Sequence, residues 1–430
     1  MIDKIKVYIS HPYFLLKENI ATFTGLFFSL LTFSFVSKVL GPEFFGLYSF
    51  IINYGIIFII SFHTGMDIYL INKLNKKNIA KDFIVLFASL NMIFICLLIF
   101  SISVLYFFVD KNFLSNVLFL IVVLYIQNTL FIILRSRKEL YKSILFDKVL
   151  KYFYLLIIYV IYNFSSKENS FNLNFFLNSY SIATAINTIV FLFFISTTSK
   201  KMFFQLFRLD SFNLKFIKAY FCRYITIILS NTLLLSEKLI PLNFLIFSEL
   251  YFEAGLFAFL VSLYNLSNIL VMNMQFKVEP NLPKYMKKND INNLNLFLSS
   301  MTLNMIKLLI PFNILFILIS YFYLVFFMQE YINIYPYLVF LIFVQSVTSF
   351  LGISQRLMIS VKKDIVLLKL YSINILVYTF SLLMFIDNNP LFISILGFSL
   401  LIATRAFYSF YYLYKNYNIN SSILTIKRFN

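Results

Sequence analysis

Twelve stretches of this chain are predominantly apolar for about twenty residues or more, at roughly 17–39, 46–70, 83–109, 113–134, 144–163, 174–196, 219–242, 252–275, 302–327, 335–354, 365–386 and 391–413. A run of that length spans the ~30 Å hydrocarbon core of a bilayer as a helix. The runs are continuously apolar rather than alternating, which excludes the strands of a membrane barrel. Composition agrees: 61% of the 430 residues are hydrophobic and 13% charged, against about 45–50% and about 25% in soluble domains. No soluble core hides 57 Phe, so lipid must be the solvent for much of this surface. Trp is absent, so an interfacial aromatic belt rests mostly on the 30 Tyr. The first run follows Lys4, Lys6 and Lys17, is too long for a signal h-region and has no small-residue cleavage site after it. It reads as a retained span.

The formal net charge of +18 raises the question of nucleic acid, and its distribution answers it. With the N-terminus inside and sides alternating, the odd-numbered loops hold two cations, Lys111 and Lys167. Five more (Lys38, Arg223, Lys238, Lys307 and Arg405) fall within spans or at their edges. The remaining 29 of the 36 Lys and Arg lie on the even, inner side. They include Lys73, Lys76, Lys77 and Lys81; Arg135, Arg137, Lys138 and Lys142; and Lys284, Lys287 and Lys288. This is the positive-inside pattern, and it places both termini in the cytoplasm. The basic balance therefore reads as topology with some attraction to anionic membrane lipid, and nucleic acid is not an expected partner.

A short segment is written twice. "VLGPEFFGLYSF" at 39–50 and "SELYFEAGLFAF" at 248–259 match at Gly46-Leu47 and Gly255-Leu256, 209 residues apart. Both follow odd-numbered spans, and six spans separate them. An even offset preserves orientation, so the halves read as parallel repeats about an axis along the membrane normal. Each half is then a six-helix lobe, 1–210 and 211–430, joined by a cytoplasmic linker at about 197–218. Gly46 and Gly255 are expected to permit tight helix entry after each turn.

The sequence offers little to covalent chemistry. The longest outside loop, near 163–174, has about twelve residues, too few for the large loop on which membrane glycosyltransferases carry their catalytic groups. No phosphate-binding GxxxxGK[ST] motif and no Ser/His/Asp set occurs. Cys96, Cys222 and the two His form no metal spacing or disulfide framework. Neither an enzyme nor an ATP-driven pump is expected, and no cofactor or metal. A carrier with its site between two lobes remains.

Span 7 carries the densest polar marking. On a continuous helix, Arg223, Thr226, Ser230, Asn231, Glu237, Lys238 and Pro241 share a sector of about 140°. A charge facing lipid costs roughly 2.5–3.5 kcal/mol even on the lenient scale, so such a stripe should face a wet cavity or a partner. The alternative is that Arg223 snorkels inward, Lys238 outward, and Glu237 pairs locally. Span 9 adds Asn304, Lys307 and Pro311 on one face, with Pro311 as a kink. Lys307 and Lys38 sit near span ends, where snorkelling competes with a site role. Arg405 lies about ten residues from the inner end of span 12 and is harder to explain that way. Asp67 and His63, near the inner end of span 2, could form a proton site or simply mark the interface. Among the charges not counted with the inner side, the five bases at the spans face the acids Asp67 and Glu237, an excess that suits an anionic substrate. The expected substrate-binding residues are thus Arg223, Lys238, Lys307, Arg405 and Lys38. Glu237, Asn231, Ser230 and Asp67 are expected to line the cavity or couple transport.

"SKVLGPEFFGLYSF" after a first span bearing Asn19, Thr22 and Ser29 resembles the opening of bacterial polysaccharide flippases, the O-antigen and capsule repeat-unit translocases. They belong to the multidrug/oligosaccharidyl-lipid/polysaccharide exporter superfamily. The GPE-x-x-G-L-Y turn at Gly41–Tyr48 is the sharpest element of the likeness; elsewhere it lies in length, span count and the 6+6 layout. The resemblance implies a V-shaped pair of six-helix lobes around a cationic cavity in the bacterial inner membrane. It also implies an undecaprenyl-diphosphate-linked oligosaccharide as substrate, moved by alternating access. A coupling proton or sodium ion and a polysaccharide polymerase are the further partners it suggests. A drug or cation antiporter of the same superfamily is the alternative, for which acidic rather than basic cavity residues are expected.

Overall fold

A computed structural model describes residues 13–73, 111–136, 140–165, 172–198, 214–278, 290–361, 363–385 and 389–422, with Leu282 and Tyr285. Among these residues the chain is helical and contains no strand. Eleven of the twelve apolar runs coincide with helices; the run at 83–109 lies outside the described residues. Among the described residues, six helices are long and apolar enough to cross a membrane, and a pair of helices bent by 50° makes a seventh span if taken as one.

The first helix, α1 (Tyr13–Lys73), has 61 residues. Straight, it would measure about 90 Å, some three bilayers. It is two helices joined at Gly41, where φ is 69° and ψ 172°. Only glycine occupies that region without strain. Pro42 then opens the second helix, where its missing N–H costs nothing. The expected loop between spans 1 and 2 is therefore a single-residue turn.

The chain forms two compact units, Met1–Val39 with Phe58–Cys222, and Leu40–Ile57 with Arg223–Asn430. The first contains α2 (Lys111–Ser136), α3 (Leu140–Ile144), a π-helical turn (Leu145–Leu150), α4 (Lys151–Ser165) and α5 (Leu173–Thr198). Asn187 of α5 donates its side-chain N–H to the Phe146 carbonyl at 2.8 Å, an outside donor at the widened turn of the kind that interrupts regular helix. Phe146 and Phe191 stack face to face at 4.3 Å beside it.

The second unit contains α6 (Leu214–Ser236), α7 (Leu239–Phe247), α8 (Tyr251–Val278), α9 (Ile291–Phe327), a 3₁₀ turn (Gln329–Ile334), α10 (Tyr335–Ser349), α11 (Ser354–Ser360), α12 (Asp364–Phe385) and α13 (Pro390–Tyr417). Phe257, Phe259, Tyr331 and Phe398 are fully enclosed within it. The outward faces are apolar as well: Ile314, Leu318 and Phe322 of α9, and Ile373, Val377 and Phe380 of α12, are all more than half exposed. Such stripes are stable facing acyl chains. Between helices, Ser267 donates to Gln345 at 2.7 Å, Gln345 to Asn268 at 3.3 Å and Asn313 to Ser346 at 3.0 Å. These bonds fix helix register where apolar contacts alone discriminate little.

Three boundaries depart from the sequence expectation. α9 starts at Ile291, capped by Asp290, whose carboxylate accepts from the Asn293 N–H at 3.2 Å. It therefore extends eleven residues before the apolar run at 302, because polar helix beyond the bilayer is still stable when capped. Span 10 ends at Ser349 and resumes as the short α11. Span 7, expected continuous over 219–242, is the bent pair α6–α7.

The repeated segment also behaves differently from expectation. Gly46 and Gly255 lie inside helices, and the turns before them are made by Gly41 and by Glu249, which has φ of 60°. What the two glycines provide is close approach. A Cβ on Gly46 would lie 2.9 Å from the Gly255 nitrogen and 3.2 Å from the Ala254 Cβ, while a Cβ on Gly255 would overlap the Pro42 carbonyl. The two copies of the segment pack on each other inside the second unit.

Candidate functional site

The break in span 7 falls on its charged pair. α6 ends at Ser236, α7 begins at Leu239, and Glu237 and Lys238 occupy the joint. Broken spans place side chains and half-helix ends at membrane depth, which is costly unless they meet a partner or a wet cavity.

Glu237 meets Arg405 of α13. Its Oε2 accepts from Arg405 Nη1 at 2.5 Å, with the side chains 2% and 14% exposed respectively. The contact uses one oxygen and one nitrogen. Glu237 Oε1 and Arg405 Nε are buried with no hydrogen-bond partner. A guanidinium and a carboxylate can form two parallel bonds, so half the capacity of each group is unspent. Lys238, half-buried, donates from Nζ to Asn265 Oδ1 of α8 at 2.6 Å. Asn231 Nδ2, further along α6, is a third buried polar atom without a partner. Two cations and one carboxylate thus converge in apolar surroundings, leaving one positive charge in excess. An arrangement of that kind is expensive unless a partner or a wet cavity compensates it.

Comparison with solved structures follows from this architecture. A MATE transporter of Vibrio cholerae aligns over 94% of this chain and 95% of its own, with TM-score 0.62 and 12% identity. The MATE multidrug transporter DinF-BH aligns over 95% of this chain and 97% of its own, with TM-score 0.65 and 14% identity. An inward-facing multidrug resistance MATE transporter of the MOP superfamily aligns over 92% and 93%, with TM-score 0.55 and 15% identity. The chain has the MATE fold. It is an all-α membrane architecture of twelve spans in two lobes, and the likeness runs nearly end to end. No family model and no curated protein matches the sequence.

Within the MATE fold, the expected site residues separate. Glu237, Lys238 and Arg405 come together, although Arg405 is 168 positions from Glu237 in sequence. Ser230 turns elsewhere: its hydroxyl donates to the Thr226 carbonyl at 2.7 Å and the Asp364 carbonyl at 3.4 Å. Thr226 donates to the Asp364 carboxylate. This part of the stripe ties α6 to the start of α12, so the single polar face drawn on a straight helix divides in two. Lys307 and Lys38 are exposed, with no ion pair among the described residues. The side chains of Arg223 and Asp67 lie outside the described residues.

One member of this cluster, and a separate buried cation of the first unit, are not marked by the sequence expectations. Asn265, which holds Lys238, is one of several polar residues in its span, beside Ser262, Ser267 and Asn268, and nothing in the sequence singles it out. Lys151 is counted with the inner-side cations by the charge bias, yet it is 7% exposed in α4. Its ammonium lies 4.9 Å from the Tyr152 ring centre and 5.5 Å from that of Tyr180, with Asp147 at 3.9 Å. Cation–π contacts and the i,i+4 carboxylate account for its burial.

Proposed function

We propose that this chain is a carrier that moves a lipid-linked, anionic-headed substrate across a membrane by alternating access. Within that class we read it as a flippase for an undecaprenyl-diphosphate-linked oligosaccharide in the bacterial inner membrane, serving O-antigen or capsule assembly. One observation carries the anionic assignment: the buried Glu237–Arg405–Lys238 cluster has two cations to one carboxylate. A diphosphate supplies the missing negative charge and the acceptor oxygens that Arg405 Nε lacks. A coupling proton or sodium ion and a polymerase partner belong to the same reading. The absence of catalytic or nucleotide-binding motifs in the sequence speaks for a carrier rather than an enzyme.

A second reading, a drug or cation antiporter, fits the solved neighbours better, since two of them are described as multidrug transporters. It requires a buried carboxylate free to take a cation. Among the described residues, Glu237 is the acid buried in a span, and Arg405 already occupies it.

The deciding experiment is a deletion strain analysed for lipid-linked repeat units and, in parallel, for accumulation of a fluorescent organic cation. Build-up of the lipid-linked glycan with unchanged dye efflux is the expected result. Lost dye efflux with normal surface glycan would establish the antiporter instead.

A further inference from the structure

The unspent halves of the Glu237–Arg405 contact point to a role for the carboxylate beyond holding the cluster together. A permanent structural pair buried at this depth is expected to be bidentate and fully satisfied, because each unpaired polar atom left in an apolar site is costly. Here Glu237 Oε1 and Arg405 Nε both lack partners, and only one contact joins the groups. The second cation, Lys238, is the next residue after Glu237 and is held by a neutral amide, Asn265. One carboxylate therefore has two cations to choose from, and whichever it leaves is free for another anion.

We propose that Glu237 is an internal competitor for the substrate's anionic head: it occupies Arg405 in the empty carrier, and a phosphoryl group displaces it while Glu237 turns to Lys238. In the exchange, the Arg405 Nη1–Glu237 Oε2 contact breaks. Phosphoryl oxygens take the guanidinium, including the Nε that now lacks an acceptor. The Lys238–Asn265 bond gives way to Lys238–Glu237. Arg405 keeps an anionic partner at either end of the exchange, which keeps both states accessible. The competitor also weakens apparent binding by the fraction of time it holds Arg405, so release on the far side does not stall. This inference rests on the anionic-substrate reading above and adds a residue that opposes binding.

The test uses the full-length protein in lipid nanodiscs and two probes, farnesyl diphosphate and inorganic pyrophosphate, titrated by calorimetry. Wild type should bind farnesyl diphosphate. Glu237→Gln should bind it about tenfold more tightly, as expected if the competitor holds Arg405 for about 90% of the time. Glu237→Asp, whose shorter reach weakens the competing contact, should fall between them and serves if the glutamine variant misfolds. Arg405→Ala should abolish the gain, so that Glu237→Gln/Arg405→Ala binds no better than Arg405→Ala alone. A matching gain with pyrophosphate assigns recognition to the diphosphate itself; a gain with farnesyl diphosphate alone assigns it to a lipid-borne head. Unchanged or weaker binding in a folded Glu237→Gln variant overturns the competitor role and leaves the anionic reading standing. Failure of wild type and Glu237→Gln alike to bind either probe overturns both.

Discussion

Glu237 shows how a single side chain's fate is set by what replaces its water. At 2% exposure its carboxylate relies chiefly on Arg405, with Lys238 nearby, to compensate for lost hydration. Arg405→Ala should therefore destabilise the protein by about 3–5 kcal/mol, the range for breaking a buried pair by removing one partner. Arg405→Gln combined with Glu237→Gln should recover much of that loss, because no isolated charge remains. Thermal unfolding in detergent, followed by intrinsic tyrosine fluorescence, measures both. Lys238 calls for a different expectation. Its ammonium is bonded to Asn265 at 2.6 Å, so it is engaged inside the unit. Lys238→Ala should reduce transport and cost about 1–3 kcal/mol by stranding the Asn265 carbonyl. Lys238→Arg should retain more transport, since the charge persists while the geometry changes. Surface glycan per unit of inserted protein reads the transport effect; full export from Lys238→Ala would remove Lys238 from the site.

At the scale of elements, glycines do two unlike jobs within a few residues. Gly41 turns the chain with φ of 69°, and a Cβ there would meet nothing within 4 Å. Gly41→Ala should therefore cost about 1–3 kcal/mol through backbone strain alone. Gly255 has ordinary helical backbone, but a Cβ would overlap the Pro42 carbonyl. Gly255→Ala must push two helices apart and should be the more damaging of the two. Gly46→Ala, with its nearest contact at 2.9 Å, should fall between tolerance and that loss. Yield of monodisperse protein and its melting temperature rank the three. The end of the second unit at which α13 stops offers another element-scale prediction. The chain after α13 is stitched to α9 and to the turn after α10: Asn420 N–H donates to Asn295 at 2.9 Å, Thr302 to the Ser421 carbonyl at 2.9 Å, and Ser421 to the Leu351 carbonyl. Thr302→Val removes one donor at a buried carbonyl and should cost about 1–3 kcal/mol. Ending the chain at Tyr417 removes all three bonds and should accelerate proteolysis at this end of these helices.

For the whole molecule, the charge bias and the proposed mechanism make separate forecasts. Both termini and the loops around 72–81 and 135–148 should be inaccessible to an impermeant thiol reagent applied from outside, in a background lacking Cys96 and Cys222. Labelling at Lys138→Cys from outside would defeat the topology. Alternating access forecasts that cysteines placed in the turns at 41–46 and 248–255 crosslink in one state of the cycle and not in the other. The same crosslink in the presence and absence of substrate would argue for a static bundle.

Sequence alone determined the solvent and the spans, and it carries the expected orientation. Each depends on a sum over many residues: apolar length against bilayer thickness, and Lys and Arg counts on alternating sides. Sums of that kind survive errors at any one position. The excess of basic over acidic residues within spans was legible for the same reason. Tertiary structure alone decided the pairings. Arg405 and Glu237 are 168 positions apart, and no local pattern brings α13 to the joint between α6 and α7. The helical wheel of span 7 failed because it assumed a straight helix through Glu237 and Lys238, where the chain bends by 50°. Lys151 was hidden because a charge count registers only the side of the membrane, whereas its burial depends on Tyr180, a residue on another helix. The repeated Gly-Leu was visible as a repeat, but its purpose was not: a glycine that spares space for a distant carbonyl looks, in one dimension, like a glycine that turns the chain.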